Sequence, residues 1–153
     1  MAERISRGAS RMLIGQYQVN FGSSNRIAFP KKFREELGNK LILSFGFERS
    51  LIVQSRPKWQ KLIEPVSALP YTRSEARETL RFLASNAFEV DLDDQGRFVI
   101  PKNMIDFALI KNTVIFLGLV NWVEIWDLRF WRKHAKRLTL DSSILAQRLA
   151  ESK

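Results

Sequence analysis

Two arginines stand at the same place in two similar stretches of chain, where each could bind a polyanion. Arg26 lies in VNFGSSNRIAFP and Arg97 lies in VDLDDQGRFVIP, each four residues before a proline. A guanidinium is planar and permanently charged, and its fork of donors can hold a phosphate or the edge of a guanine at two points. The shared position therefore predicts one nucleic-acid-reading device that is presented twice in the chain.

The residues around each arginine predict a tight β-hairpin followed by a helix. In the second copy, Val90 and Leu92 alternate with aspartates, which is the period of a half-buried strand. Gly96 can take a positive φ at no steric cost, and Asn25, at the matching position, is among the few other residues that tolerate it. A proline then ends each hairpin, since it cannot donate to a strand ladder and suits the start of a helix.

Further groups near the two turns are candidates for contacts with phosphates and base edges. The hairpin tips offer side-chain or backbone groups, and the first turn of each following helix offers a lysine. These secondary candidates are Ser23, Ser24, Asn25, Gln95, Gly96, Lys31 and Lys102. The alternative for the lysines is a solvated surface position. The alternative for Arg97 is an ion pair with Asp93 that serves only to stabilise the turn.

The whole chain repeats one plan, and this predicts two intertwined units. A lone hairpin is marginal in water, and a repeat of about 60 residues buries little surface by itself. We expect an α+β, β-rich fold in which two tandem hairpin and short-helix repeats close one another into a small pseudo-symmetric barrel with flanking helices. The expected divisions are a flexible basic arm at 1–11, a first repeat at 12–69, a connecting helix at 70–87, a second repeat at 88–138 and a helical tail at 139–153.

Two details of the helices can also be predicted. An apolar stripe at helical spacing predicts a buried face on the helix that Pro57 opens. The stripe consists of Trp59, Leu62, Ile63 and Val66. Asp141 is a good N-cap residue and predicts the start of a separate last helix.

The net charge of +9 at pH 7 lies mainly in the first half of the 153-residue chain. Residues 1–87 carry +8 and residues 88–153 carry +1. Such a field attracts nucleic acid. No apolar run reaches the roughly 18 residues that a bilayer crossing needs, and the N-terminus lacks a secretory apolar core. The absence of cysteine excludes disulfides and thiolate metal sites, and fits a reducing compartment.

The sequence offers few of the ingredients of an enzyme. It has no cysteine nucleophile, one histidine (His134) and no glycine-rich phosphate loop. The acidic turn at Asp91, Asp93 and Asp94 lacks the full ligand pattern of a calcium loop. We therefore predict no catalysis, no metal, no cofactor and no small-molecule substrate. An RNA-binding or protein-binding adaptor is the alternative to a DNA-binding protein, although RNA modules that stack bases need exposed aromatic residues.

Several distinct pieces of the chain, in the same order, resemble the MraZ family of bacterial regulators, whose repeats are similar to the swapped-hairpin domain of AbrB-type transcription factors. The pieces are IGQY, NRIAFP, KFREELG, LPYTRSEARETLRFLASNA, GRFVIP and VEIWD. The resemblance begins at Met12, which is an alternative start to Met1. It implies a sequence-specific, DNA-binding transcriptional regulator that binds repeated promoter sites upstream of the division and cell-wall gene cluster. It also implies a cytoplasmic, nucleoid-associated location and ring-like homo-oligomers.

The resemblance implies a role for individual residues as well. Members of the family carry an Asp-x-x-x-Arg motif in each repeat, and its arginine is associated with DNA contact. Asp93 and Arg97 keep this motif, whereas Gly22 replaces the aspartate before Arg26. Because an aspartate can orient the arginine or bond within the turn, we expect the first hairpin to be more mobile and Arg26 to be freer to engage a phosphate.

Overall fold

The computed structural model of the protein describes residues 12–22 and 24–152. The expected basic arm and Ser23 lie outside the described residues. The strands are β1 (Leu13–Asn20), β2 (Arg26–Ala28), β3 (Lys40–Phe45), β4 (Leu51–Ser55), β5 (Phe88–Asp91), β6 (Arg97–Val99), β7 (Thr113–Val120) and β8 (Val123–Asp127). The helices of this part of the chain are α1 (Lys31–Leu37), α2 (Arg56–Ser67), α3 (Ser74–Ala84), α4 (Lys102–Ala108) and α5 (Leu128–Glu151).

Each repeat supplies strands to the other. Six strands form one antiparallel sheet in the order β1-β7-β8-β4-β3-β5, so that β1 of the first repeat pairs with β7 of the second and β5 of the second pairs with β3 of the first. The remaining strands, β2 and β6, pair only with each other and form a separate two-stranded ribbon. The α+β class and the intertwining of the two repeats are thus confirmed.

The predicted barrel is wrong. The six-stranded sheet is open, with β1 and β5 at its two ends, and β2 and β6 do not join it. The two predicted hairpins are also not paired hairpins, because β5 runs into the sheet while β6 crosses to β2. Pairing with β2 of the sister repeat directs Ile27 and Phe98 into the common core, where they are 2% and 5% exposed.

The core is an aromatic cluster that the two repeats share. Phe29 follows β2, and its ring centroid lies 6.2 Å from that of Phe98 and 5.1 Å from that of Phe116, both in the second repeat. The ring centroid of Phe33, in α1, lies 6.4 Å from that of Phe29. The inner face of the ribbon is therefore fixed to the sheet by side chains from both halves of the chain.

The apolar stripe of α2 is not core. No residue of α2 is buried, and Trp59, Leu62, Ile63 and Val66 are half-buried. The stripe faces the hairpin loops of the sheet and α3 around a cavity of about 460 Å³. Helical periodicity identifies the face that turns away from water, but it cannot tell a closed core from an open groove.

The last helix is a single element. It runs unbroken from Leu128 to Glu151, and Asp127 caps it by accepting a hydrogen bond from the backbone N–H of Arg129 at 3.0 Å. Asp141 lies in its interior, so the predicted separate helix is wrong. No glycine or proline interrupts this stretch, and extending a helix is more favourable than nucleating a new one. In the described residues, no helix has the length and apolar character that a membrane crossing requires.

Candidate nucleic-acid interface

The ribbon formed by β2 and β6 presents both candidate arginines on one outward face. Arg26 and Ala28 of β2 stand on either side of a buried residue, and Arg97 and Val99 of β6 do the same. The register sets Arg26 opposite Val99, and Ala28 opposite Arg97. The two arginines are therefore diagonal neighbours, which in antiparallel pairs are typically about 7–8 Å apart.

A pseudo-two-fold axis passes through the centre of the ribbon. The backbone N–H of Phe29 donates to the carbonyl of Gly96 at 2.8 Å, and the N–H of Ile100 donates to the carbonyl of Asn25 at 2.9 Å. Asn25 and Gly96 both have positive φ, at 58° and 74°. The left-handed residue of each turn therefore holds the strand of the other repeat through its carbonyl, and its positive φ favours asparagine or glycine.

Asp93 organises the second turn. Its Oδ1 accepts hydrogen bonds from the backbone N–H of Gln95 and of Arg97, both at 2.9 Å, and its Oδ2 accepts one from Arg97 Nε at 3.2 Å. The bond from the Arg97 backbone N–H contributes most to a pKa of the Asp93 carboxyl below its ordinary value. The carboxylate therefore stays ionised and orients Arg97, whose side chain is still 39% exposed and can reach a ligand.

The first turn lacks this tether. Gly22 accepts a backbone hydrogen bond from Asn25 at 3.2 Å, but no side chain holds the turn from that position. Arg26 is exposed, and its guanidinium forms no ion pair with any described residue. The contrast between a tethered Arg97 and a free Arg26 follows the motif, while the greater mobility of the first turn stays a prediction.

The two candidate lysines, like the two arginines, differ between the repeats in whether they form an ion pair. Lys31 and Lys102 are the first residues of α1 and α4 and are both exposed. Lys102 forms an ion pair with Asp106 at 3.3 Å, whereas Lys31 has no such partner in the part of the chain that the structure describes. At the tips, Ser24 and Gln95 are exposed and Asn25 is half-buried.

Gly96 is placed differently from the sequence prediction. It is buried, and both its backbone polar groups are occupied, since its N–H donates to the carbonyl of Asp93 at 2.9 Å and its carbonyl accepts from Phe29. It thus has no free donor for a phosphate. The guanidinium of Arg34, from α1, covers it so closely that a Cβ on Gly96 would lie 1.9 Å from Arg34 Nη1. Sequence reasoning missed Arg34, because the contact joins different repeats and no local pattern signals it.

The remaining candidates for chemistry are packed or isolated. The ring of His134 lies 5.0 Å from that of Trp126 and 6.0 Å from that of Trp131, as a packing residue would. Within the described residues, no three histidine or carboxylate side chains are grouped as metal ligands would be. What the interface brings together is a set of cations on a ribbon whose inner face is buried.

Comparison with known proteins identifies the family. The family model described as "MraZ protein, putative antitoxin-like" matches residues 12–82 and again residues 83–152. The chain is similar to the "Transcriptional regulator MraZ" of Caldanaerobacter subterraneus subsp. tengcongensis, with 38% identity over 138 residues, which are 90% of this chain and 96% of the relative. The proteins of the same name from Clostridium acetobutylicum and Caldicellulosiruptor bescii are 38% and 39% identical over 140 residues, covering 92% of this chain and 98% of each relative. The chain therefore belongs to the MraZ family, and these relatives are named as transcriptional regulators.

Proposed function

We propose that this regulator binds duplex DNA sequence-specifically and reads it with the outward face of the β2–β6 ribbon. The observation that carries the proposal is the position of Arg26 and Arg97 as diagonal neighbours on one face, while the other face is anchored in the core. The major groove of B-DNA admits a two-stranded β-ribbon. Because the strands are anchored in the core from behind, the backbone that presents the two guanidinium groups need not become ordered on binding.

Each residue of the outward face has a role in this proposal. Arg26 and Arg97 hold guanine edges or phosphates. Ala28 and Val99 lie beside them, and small apolar groups suit contact with the methyl group of thymine. The flanking donors position the duplex through its backbone. These flanking residues are Ser23, Ser24, Asn25, Gln95, Lys31 and Lys102.

The biological setting is proposed on the resemblance and on family membership. The protein binds repeated promoter sites upstream of the division and cell-wall gene cluster, and it acts in the cytoplasm in association with the nucleoid. Each copy of the chain presents one ribbon, so a target that repeats suits several copies bound along the DNA.

Selection of bound fragments from a random duplex pool tests the proposal. We expect enrichment of a short motif that recurs at a constant spacing, because arginines on a rigid ribbon discriminate guanine from other bases. RNA of the same length should not displace the selected duplex at fixed salt. Failure to enrich any motif, or equal competition by RNA, would instead support the RNA-binding or adaptor alternative.

We further propose that copies of the chain associate head to tail into a ring-like homo-oligomer through α5. One face of this helix carries residues at alternating steps of four and three, the spacing of a coiled-coil seam. They are Trp131, Ala135, Leu138, Ser142, Leu145 and Leu149. Trp131 packs against Trp126 of its own chain, but Leu145 and Leu149 are 42% and 77% exposed. The apolar face of α5 thus extends beyond the part of the helix that packs against the rest of the chain.

The receiving surface in this proposal is the groove between α2 and α3. Its cavity of about 460 Å³ is lined by the apolar stripe of α2, and Glu48 and Glu124 also line it. Arg148, next to the exposed Leu149 of α5, can pair with one of these carboxylates. A contact between two different surfaces repeats from one copy to the next and closes into a ring where the rotation allows.

Leu145→Arg is expected to release a smaller species, because a charge in the middle of an apolar contact must be desolvated without a partner. The measurement is the mass by light scattering after size-exclusion chromatography, over a range of protein concentrations. Ser143→Arg adds the same charge on the opposite side of α5 and should keep the wild-type mass. A wild-type protein that is monomeric throughout, or an unchanged mass for Leu145→Arg, would contradict the association.

A further inference from the structure

The second turn has carboxylates close to its arginine, and the first turn has none. Asp93 and Asp94 stand beside Arg97, so this turn presents two carboxylates and one guanidinium, whereas Arg26 has no carboxylate in the matching turn. A DNA strand that approaches the second turn would meet a local excess of negative charge. Equivalent engagement of both turns therefore needs a further cation at the second one.

Arg34 supplies that cation from the other repeat. Its guanidinium lies against the bare backbone of Gly96, where a Cβ would stand 1.9 Å from Nη1, 2.3 Å from Cζ and 2.6 Å from Nε. No ion pair joins Arg34 to any described residue. Its Nε is buried without a hydrogen-bond partner. No described residue accepts a hydrogen bond from this nitrogen, so the guanidinium is held by its contact with Gly96 and not by a counter-charge among the described residues.

The arrangement is confined to one of the two turns. At the positions that match Arg34 and Gly96, the pseudo-symmetric half has Ile105 and Asn25. Isoleucine brings no charge, and asparagine has the Cβ for which the covered turn leaves no room. The contact is therefore not a general requirement of the fold, since the first turn forms without it.

We infer that Arg34 is a DNA-binding residue, which joins Arg97 at the second turn to hold one backbone phosphate between two guanidinium groups. Among the guanidinium nitrogens of Arg34, only Nε is buried without a partner, so the terminal nitrogens can reach a phosphate oxygen, and a guanidinium fork matches phosphate geometry at two points. This inference rests on the proposed binding of duplex DNA by the ribbon. It makes Gly96 a specific requirement, because this position must be left-handed and must also be bare.

Arg34→Gln tests the inference through salt dependence. Each phosphate contact that is lost reduces the slope of log K against log salt by about 0.9, and at about 0.1 M salt this weakens binding roughly tenfold. We expect both changes for Arg34→Gln on the selected duplex, with the melting temperature of the protein retained. Lys61→Gln, which removes one exposed charge from α2, should change the slope and the affinity much less.

Gly96→Asn tests the same contact from the other side. Asn25 shows that asparagine accepts the required backbone conformation, but its Cβ would displace the guanidinium of Arg34. The variant should reproduce the slope change of Arg34→Gln and add little in the Arg34→Gln background, because coupled residues are not additive.

The possible outcomes distinguish a failure of this inference from a failure of the proposed DNA binding on which it rests. If wild-type protein binds DNA but Arg34→Gln leaves both slope and affinity unchanged, the inference is wrong and the ribbon proposal stands. A lowered melting temperature with an unchanged slope would make Arg34 a packing residue only, which also overturns the inference. Absence of DNA binding by the wild-type protein would instead refute the proposed function.

Discussion

Arg26→Ala is expected to weaken binding of the selected duplex by about tenfold to a hundredfold while leaving the fold intact. An arginine that holds a guanine edge at two points contributes about 1–3 kcal/mol of discrimination, and each 1.4 kcal/mol is tenfold in affinity. Arg26 is exposed and unpaired among the described residues, so its loss leaves no buried group without a partner. Exposed substitutions of this kind usually change stability by less than about 0.5 kcal/mol.

The same substitution at Arg97 is less easily interpreted. Arg97→Ala also removes the ion-pair partner of the Asp93 carboxylate at 3.2 Å and makes the turn more negative. It should therefore weaken binding both by losing a contact and by adding local repulsion. Arg26→Ala isolates the contact alone, which makes it the more decisive of the two variants.

Fluorescence anisotropy with a labelled duplex at fixed salt measures the effect, and circular dichroism monitors the fold. Arg81→Ala is a suitable control, because Arg81 is an exposed arginine of α3 that pairs locally with Glu78. Arg26→Lys separates two modes of contact, since lysine keeps the charge but loses the fork. Binding by Arg26→Ala at wild-type strength, or loss of binding together with loss of structure, would count against a direct contact.

The positions of the reading residues could be predicted from sequence because local rules determine them. A repeated arginine, a left-handed residue before it and a proline after it specify a turn and the start of a helix wherever the chain runs. The structure places Arg26 and Arg97 on one surface for the same reason, since equal local geometry in two pseudo-symmetric repeats gives equivalent positions.

The partners of the strands could not be predicted in this way. Alternation of Val90 and Leu92 indicates a half-buried strand, but the pattern is equally satisfied by a hairpin arm or by the edge of a sheet in the other repeat. The ribbon and the open sheet depend on contacts between distant segments, as does the position of Arg34 over Gly96. The local sequence does not specify contacts between distant segments. The pairing of the strands, and with it the open sheet in place of the predicted barrel, therefore could not be predicted.

Phe29→Ala is expected to lower the free energy of unfolding by about 3–5 kcal/mol, the usual cost of truncating a buried phenylalanine. Phe29 is 2% exposed, and its ring contacts Phe33 in its own repeat as well as Phe98 and Phe116 in the other. The cavity would thus open at the joint between the repeats. Both repeats should lose stability together, because neither keeps a complete core without the other.

Urea unfolding followed by circular dichroism and by tryptophan emission measures this effect. The second repeat holds three of the four tryptophans, at positions 122, 126 and 131, so their emission reports on the half that does not contain the substitution. The two signals should change at one midpoint, and that midpoint should be well below the wild-type value. Val99→Ala, on the outward face of the ribbon and at a residue that is 49% exposed, should change the midpoint little.

A variant in which tryptophan emission stays native while circular dichroism is partly lost would show that the repeats unfold independently. Coincident signals carry a consequence for function. The ribbon consists of one strand from each repeat, so the pair of arginines exists only while both repeats are folded. DNA binding by Phe29→Ala, measured across the urea transition, should therefore disappear in proportion to the folded fraction, although the substituted residue lies on the side of the ribbon that faces away from the DNA.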